Sequence, residues 1–142
     1  MRLSSQAIDV LQELNKAGKK TVEEFEEQGF DQATVNRALL ELKEEKLAER
    51  AEYLGKIFRE EMKNFDSDMI ELVRGKGLLN AVIVKPKNGK EAWDVTVEMS
   101  KEGILAKPTH QHIIRFAPPL VITEEQLREG IELIKKAFRK FD

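Results

Sequence analysis

An α+β fold follows from three features of the sequence. Residues 1–65 place apolar side chains at helical spacing with no strand-like run. Residues 69–84 and 104–116 hold short β-branched runs set off by Gly and Pro. A capped amphipathic helix then closes the chain. The predicted order is a three-helix N-terminal bundle leading through a long helix into a β-β-α-β-β-α sandwich, an antiparallel-rich sheet with helices against one face. The 142 residues suffice for one ordinary domain or two small ones.

Each element has a local cause. Ser4 or Ser5 caps the first helix, Ile8, Leu11 and Leu14 form its apolar stripe, and Gly18 stops it. Thr21 and Glu24 stand at capping-box spacing for a short second helix that turns Val22 and Phe25 inward and ends near Gly29. Asp31 caps the third, in which Val35, Ala38, Leu39, Leu42 and Leu47 recur every three or four residues. The pattern continues through Leu54, Ile57 and Phe58, which predicts a helix over about 32–64 with room for a kink at 46–48. Gly55 costs such a helix about 1 kcal/mol. Strands are expected at 69–73, 78–84, 104–106 and 113–116, the first pair joined by Gly75-Lys76-Gly77. A helix is expected over 92–102, and a last one capped by Thr123 with Gln126, bearing Leu127, Ile131, Ile134 and Phe138 on one stripe. Trp93 and the seven Phe are assigned to the core.

Composition excludes several function classes. There is no Cys, so disulfides, thiolate metal sites and Cys nucleophiles are out. The longest apolar run, 113–122, is broken by Arg115, Pro118 and Pro119, which fits neither a membrane span nor a targeting signal, and the expected location is cytoplasmic. Net charge is −2, with −3 in residues 1–50 and +1 in residues 51–142, so neither part has a strong nucleic-acid footprint.

The strings RGKGLLNAVIV (74–84), LAKPTH (105–110) and IIRFAPPLVI (113–122), with LAERAEYLGKIFREEM (47–62) before them and TEEQLREGIELIKKAF after, resemble the C-terminal end of the ornithine aminotransferases. These are class III pyridoxal-phosphate enzymes. The resemblance covers roughly residues 38–142 and implies the small C-terminal domain of that family. It assigns Arg115 to the arginine that reaches the substrate site and meets a substrate carboxylate or a glutamate of the large domain. A guanidinium's planar pair of donors suits that task. In the family the cofactor lysine, the acid facing the pyridinium and the phosphate-binding helix belong to the large domain. No lysine here stands in a comparable context, so pyridoxal phosphate and transaminase activity are not expected of this chain, which is read as a non-enzyme.

Residues 4–49 instead resemble a winged-helix-type helix-turn-helix. In that reading Val22, Phe25, Val35, Leu39 and Leu42 fill a small core, and Gln32, Thr34, Asn36 and Arg37 stand at the exposed start of a recognition helix. Lys16, Lys19, Lys20 and Arg37 are the available phosphate contacts. Glu23, Glu24, Glu26 and Glu27 oppose them, and no wing hairpin follows, so nucleic acid is not the favoured partner. The two resemblances overlap on one helix, which suggests domains 1–46 and 47–142 spliced in register, an engineered chimera or recombined scaffold. A carboxylate site at Arg115 is the other alternative, and a homodimer through exposed apolar surface is a further expectation. His110 and His112 share a strand-face spacing but have no acid nearby, so no metal site is assigned; Gly75-Lys76-Gly77 lacks phosphate-loop spacing. Asp66 and Asp68 read as loop residues.

Overall fold

The computed structural model describes residues 3–18, 20–44 and 46–142. It divides into two compact units, Met1–Ala48 and Glu49–Asp142.

The first unit holds α1 (Ser5–Ala17), α2 (Val22–Glu27) and α3 (Gln32–Glu44). The caps form as their residue types demand: Ser4 accepts from the Ala7 N–H, and Thr21 and Glu24 close a reciprocal capping box. The Asp31 carboxylate accepts from the Thr34 N–H at 3.2 Å. Leu3, Ala7, Val10, Phe25, Val35, Ala38 and Leu47 are buried together. The buried stripe of α1 is therefore Ala7 and Val10, with Leu11 and Leu14 half-buried, and Ile8 faces water. Leu39 likewise points outward, because Val35 and Ala38 already occupy the inward face of α3. Both differ from expectation by one step around a helix.

The long helix predicted over 32–64 is two helices. α3 ends at Glu44, Lys46 has φ +50°, and α4 runs Leu47–Asn64. A left-handed residue cannot continue a right-handed helix, and hydrophobic periodicity carries no information about that single torsion.

In the second unit β1 (Ile70–Lys76), β2 (Leu79–Val84), α5 (Ala92–Lys101), β3 (Lys107–Thr109), β4 (Ile113–Phe116) and α6 (Glu124–Arg139) follow α4. The sheet is antiparallel throughout, in the order β1-β2-β4-β3. Val73, Val82, Val84, Ile114 and Phe116 are buried on one face. There they join Leu54, Phe58 and Met62 of α4, Val95 and Met99 of α5, and Leu127, Ile131, Ile134 and Phe138 of α6. Each large side chain so buried contributes roughly 1.5–3 kcal/mol, which makes this the dominant stabilising core. Thr123 and Gln126 form the expected capping box of α6.

Three expectations shift. The β1–β2 connection is the two-residue turn Gly77-Leu78, since Lys76 pairs with Leu79, and Gly77 takes φ +55° as a tight turn requires. The third strand is Lys107–Thr109 rather than 104–106, because it must abut the turn at 110–112 to face β4; its Pro108 is tolerated on an edge strand. Trp93 is 64% exposed on the outer side of α5, because Ala92, Val95, Thr96 and Met99 already supply that helix's buried face.

Candidate functional site

Side chains alternate across a strand, so β4 buries Ile114 and Phe116 and turns Ile113 and Arg115 to the opposite face, which no helix of this unit covers. The register then sets Arg74 (β1), Ala81 (β2), Arg115 (β4) and Lys107 (β3) in one cross-strand row. Two arginines thus flank a small Ala81, and the depression there is lined by Arg74, Lys76, Ala81, Thr109, His110 and Arg115 among others. Arg74, Arg115 and Lys107 are exposed, and among the described residues none pairs with a carboxylate. Like charges in one row repel, so the arrangement favours an anion. Thr109 Oγ1 is the one buried side-chain oxygen among the described residues without a hydrogen-bond partner, and Thr109 lines the same depression. Sequence alone points to Arg115; its companions Arg74 and Lys107 require the register, although their outward parity in the strands was a usable signal.

The β1–β2 turn beside this depression is gripped by α4. Arg59 Nη1 donates to Gly77 O at 3.1 Å and to Asn80 Oδ1 at 2.9 Å, while its Nη2 meets Glu52 Oε1 at 2.5 Å. Glu52 Oε2 in turn accepts from the Gly77 N–H at 2.6 Å. That backbone hydrogen bond, aided by Arg59, holds the Glu52 carboxyl below its ordinary pKa despite some opposing desolvation. Asn80 is buried and also donates to Gly77 O at 3.2 Å, so its polar atoms are satisfied. On the far side of β4, Arg50 donates to the carbonyls of Leu120 and Ile122, fixing the segment that carries Pro118 and Pro119.

The remaining candidates fall elsewhere. Gln32, Asn36 and Arg37 are exposed on α3, while Thr34 is half-buried and its hydroxyl donates to Asp31. Lys16 and Lys20 are both engaged by Glu13, at 2.8 and 3.4 Å, and Lys19 lies outside the described residues. The four glutamates of α2 are exposed. His110 sits in the 110–112 turn with φ +51°, and among the described residues no group of three potential metal ligands assembles.

A Schiff-base cofactor needs a lysine amine that is both sheltered and uncommitted. Among the described residues the most sheltered lysines are Lys20 and Lys135, with side chains 7% and 12% exposed, and both are ion-paired. For Lys135 burial alone would lower the pKa, but hydrogen bonds to Glu61 and Glu132 outweigh it and raise the value, the reverse of what an amine nucleophile requires. Neither of these two amines is thus free to form a Schiff base as it stands.

A sheet with helices on one face and an unpaired cationic row on the other defines an anion-facing α+β unit. Its relatives make the class specific. Residues 17–138 match the family model described as Aminotransferase class-III. The chain belongs to the class-III aminotransferase family. It is 55% identical over 108 residues to an ornithine aminotransferase of Schizosaccharomyces pombe, covering 74% of this chain and 25% of that protein. To the mitochondrial ornithine aminotransferase of Rattus norvegicus it is 48% identical over 104 residues, covering 73% and 24%. Among solved structures, the acetylornithine aminotransferase of Elizabethkingia anophelis superposes with a TM-score of 0.70 at 46% identity, over 78% of this chain and 28% of that one. An ornithine aminotransferase of Toxoplasma gondii, described with partial occupancy of PLP at its active site, gives 0.69 at 42% over 78% and 26%. The chain thus spans about a quarter of the length of the curated relatives it matches.

The family assignment corrects the expectation of a non-enzyme: the matched relatives are aminotransferases, and the chain falls within an enzyme family. The family match also begins at residue 17 and runs through the α3–α4 junction, so its edge does not coincide with the join inferred between two resemblances.

Proposed function

We propose that this chain supplies the carboxylate-gripping part of an ornithine aminotransferase-type site, and that the cofactor-holding part comes from residues outside these 142. The observation that carries the reading is Arg115: an outward guanidinium on β4, without a carboxylate partner among the described residues, in a chain about half identical to ornithine aminotransferases. Its planar donors take a carboxylate in two parallel hydrogen bonds, and Arg74 and Lys107 raise the local positive potential without competing for that geometry. Pyridoxal phosphate, in the enzymes that bind it, acts as the electron sink of transamination. In this reading the chain contributes orientation and charge to the substrate.

The test is a graft. Residues 49–142 replace the homologous segment of the S. pombe enzyme, and ornithine transamination is measured. The reading predicts a folded, cofactor-loaded graft whose kcat/KM stays within about tenfold of the parent. An inactive graft that still binds cofactor would refute it.

A second reading gives residues 1–46 a separate helix-turn-helix role within a recombined chain. It rests on the separate compactness of Met1–Ala48 and on the exposed Gln32, Asn36 and Arg37. Fluorescence anisotropy of labelled duplex DNA tests it: binding that weakens steeply with salt supports the reading, and a flat titration at low salt ends it.

A further inference from the structure

The open-face depression has two walls of different rigidity. Arg115 stands on β4, an interior strand whose neighbours Ile114 and Phe116 are anchored in the core. Arg74 and Lys76 stand on β1, an edge strand. After Val73 no residue of β1 is buried, and Gly75 has no side chain to anchor. Edge strands held by one ladder alone open at low free energy. What fixes this end of β1 is the turn that follows it, and α4 grips that turn through Arg59.

We infer that Arg59 is a positioning residue: by binding Gly77 O and Asn80 Oδ1 it locks the β1–β2 turn and so holds Arg74 across Ala81 from Arg115, where both can face one dianionic substrate. The inference rests on the Arg115 reading given above and adds to it the group that sets the opposite wall. The geometry explains why arginine stands at this position. One Nη reaches a carbonyl and an amide oxygen while the other meets Glu52, and the side chain is 13% exposed, so the two bonds to Gly77 and Asn80 are partly sheltered from water while the pair with Glu52 lies at the surface. Glu52 closes the ring through the Gly77 N–H, so both the backbone donor and the backbone acceptor of that residue are held from one helix. A lysine carries the charge but presents a single nitrogen without the planar fork. Nothing in this arrangement touches the substrate, so its effect passes through Arg74.

The test reads arginine Nε–Hε resonances of the full chain during titration with glutarate. In the wild type both Arg115 and Arg74 signals shift together with one apparent affinity. In Arg59→Lys and in Glu52→Gln the Arg74 signal responds with about fivefold weaker affinity, the equivalent of one lost net hydrogen bond, while the Arg115 signal still responds. Glu52→Gln keeps the side-chain volume at an exposed position, so it stays informative if Arg59→Lys does not fold. A uniform fall in both signals, or unfolding without a change in Arg74, marks a merely structural role and overturns the inference. Unchanged Arg74 affinity in both variants overturns it as well. A wild type in which Arg115 itself is silent instead removes the carboxylate reading on which the inference stands.

Discussion

Gly55 separates two arguments of opposite sign. It lies within α4, where replacing glycine by alanine ordinarily stabilises a helix by about 1 kcal/mol. Here an ideal Cβ would fall 1.7 Å from Gly77 O, 2.5 Å from Gly77 C and 2.9 Å from Arg59 Nη1. Backbone, not a flexible side-chain end, is in the way. To restore contact the Gly77 carbonyl must retreat by roughly 1.5 Å, which strands the turn's bonds to Arg59, Asn80 and Glu52. At about 1 kcal/mol net for each of three bonds, the loss is about 3 kcal/mol. Overpacking strain adds about 1–3 kcal/mol, and the helix-propensity gain subtracts about 1. Gly55→Ala is therefore expected to destabilise by about 3–5 kcal/mol and to lower Tm by about 10–20 °C. Urea unfolding followed by circular dichroism at 222 nm reads the change; the exposed Trp93 is a poor fluorescence reporter. A Gly55→Ala protein as stable as the wild type would refute the close approach of α4 to the β1–β2 turn, and with it the clamp described above.

Two further outcomes are expected. His110 and Gln111 both hold left-handed torsions, with φ +51° and +66°, and Gln111→Gly relieves a cost of about 1–2 kcal/mol at the expense of added unfolded-state freedom. The urea midpoint should rise by the equivalent of about 0.5 kcal/mol, and a lower midpoint would contradict the turn geometry. Glu98 is held at a pKa of about 2 by hydrogen bonds from Lys101 and Lys140. A carboxylate with a depressed folded pKa stabilises fully above its ordinary value and loses that contribution as pH falls toward the folded one. Stability from the α5–α6 ion pairs is thus expected to decline between about pH 4.5 and 2, and Glu98→Gln should flatten that acid slope. An unchanged slope would count against the pairing.

The elements were legible wherever one local rule governs them. Thr21 with Glu24 and Thr123 with Gln126 announce helix starts because a hydroxyl and a reaching side chain satisfy the first free N–H groups. The strands Leu79–Val84 and Ile113–Phe116 follow from their β-branched runs, though the pairing between them does not. Misses occur where a single torsion or a tertiary neighbour decides. The kink allowed at 46–48 is a full break at Lys46 without a sequence breaker, and Gly55 looks like a mild helix defect until Gly77 is seen against it. Trp93 is exposed although its type favours burial, since smaller residues already fill the face of α5 that meets the sheet. The same division holds at the site. Arg115 could be named from its string, whereas Arg74 and Lys107 become its companions through a register that spans residues 74 to 115. Arg59 and Asn80 carry no motif, and their meeting depends on the turn folding back onto α4.

The central claim is that Arg115 orients a substrate carboxylate, and Arg115→Lys in the S. pombe graft tests it most directly. Charge is kept and the bidentate fork is lost, so the expected fall in kcat/KM is about 100-fold, with the cofactor absorption spectrum unchanged. A graft that transaminates equally well with lysine at that position, or whose loss of rate is matched by loss of cofactor, would contradict the account.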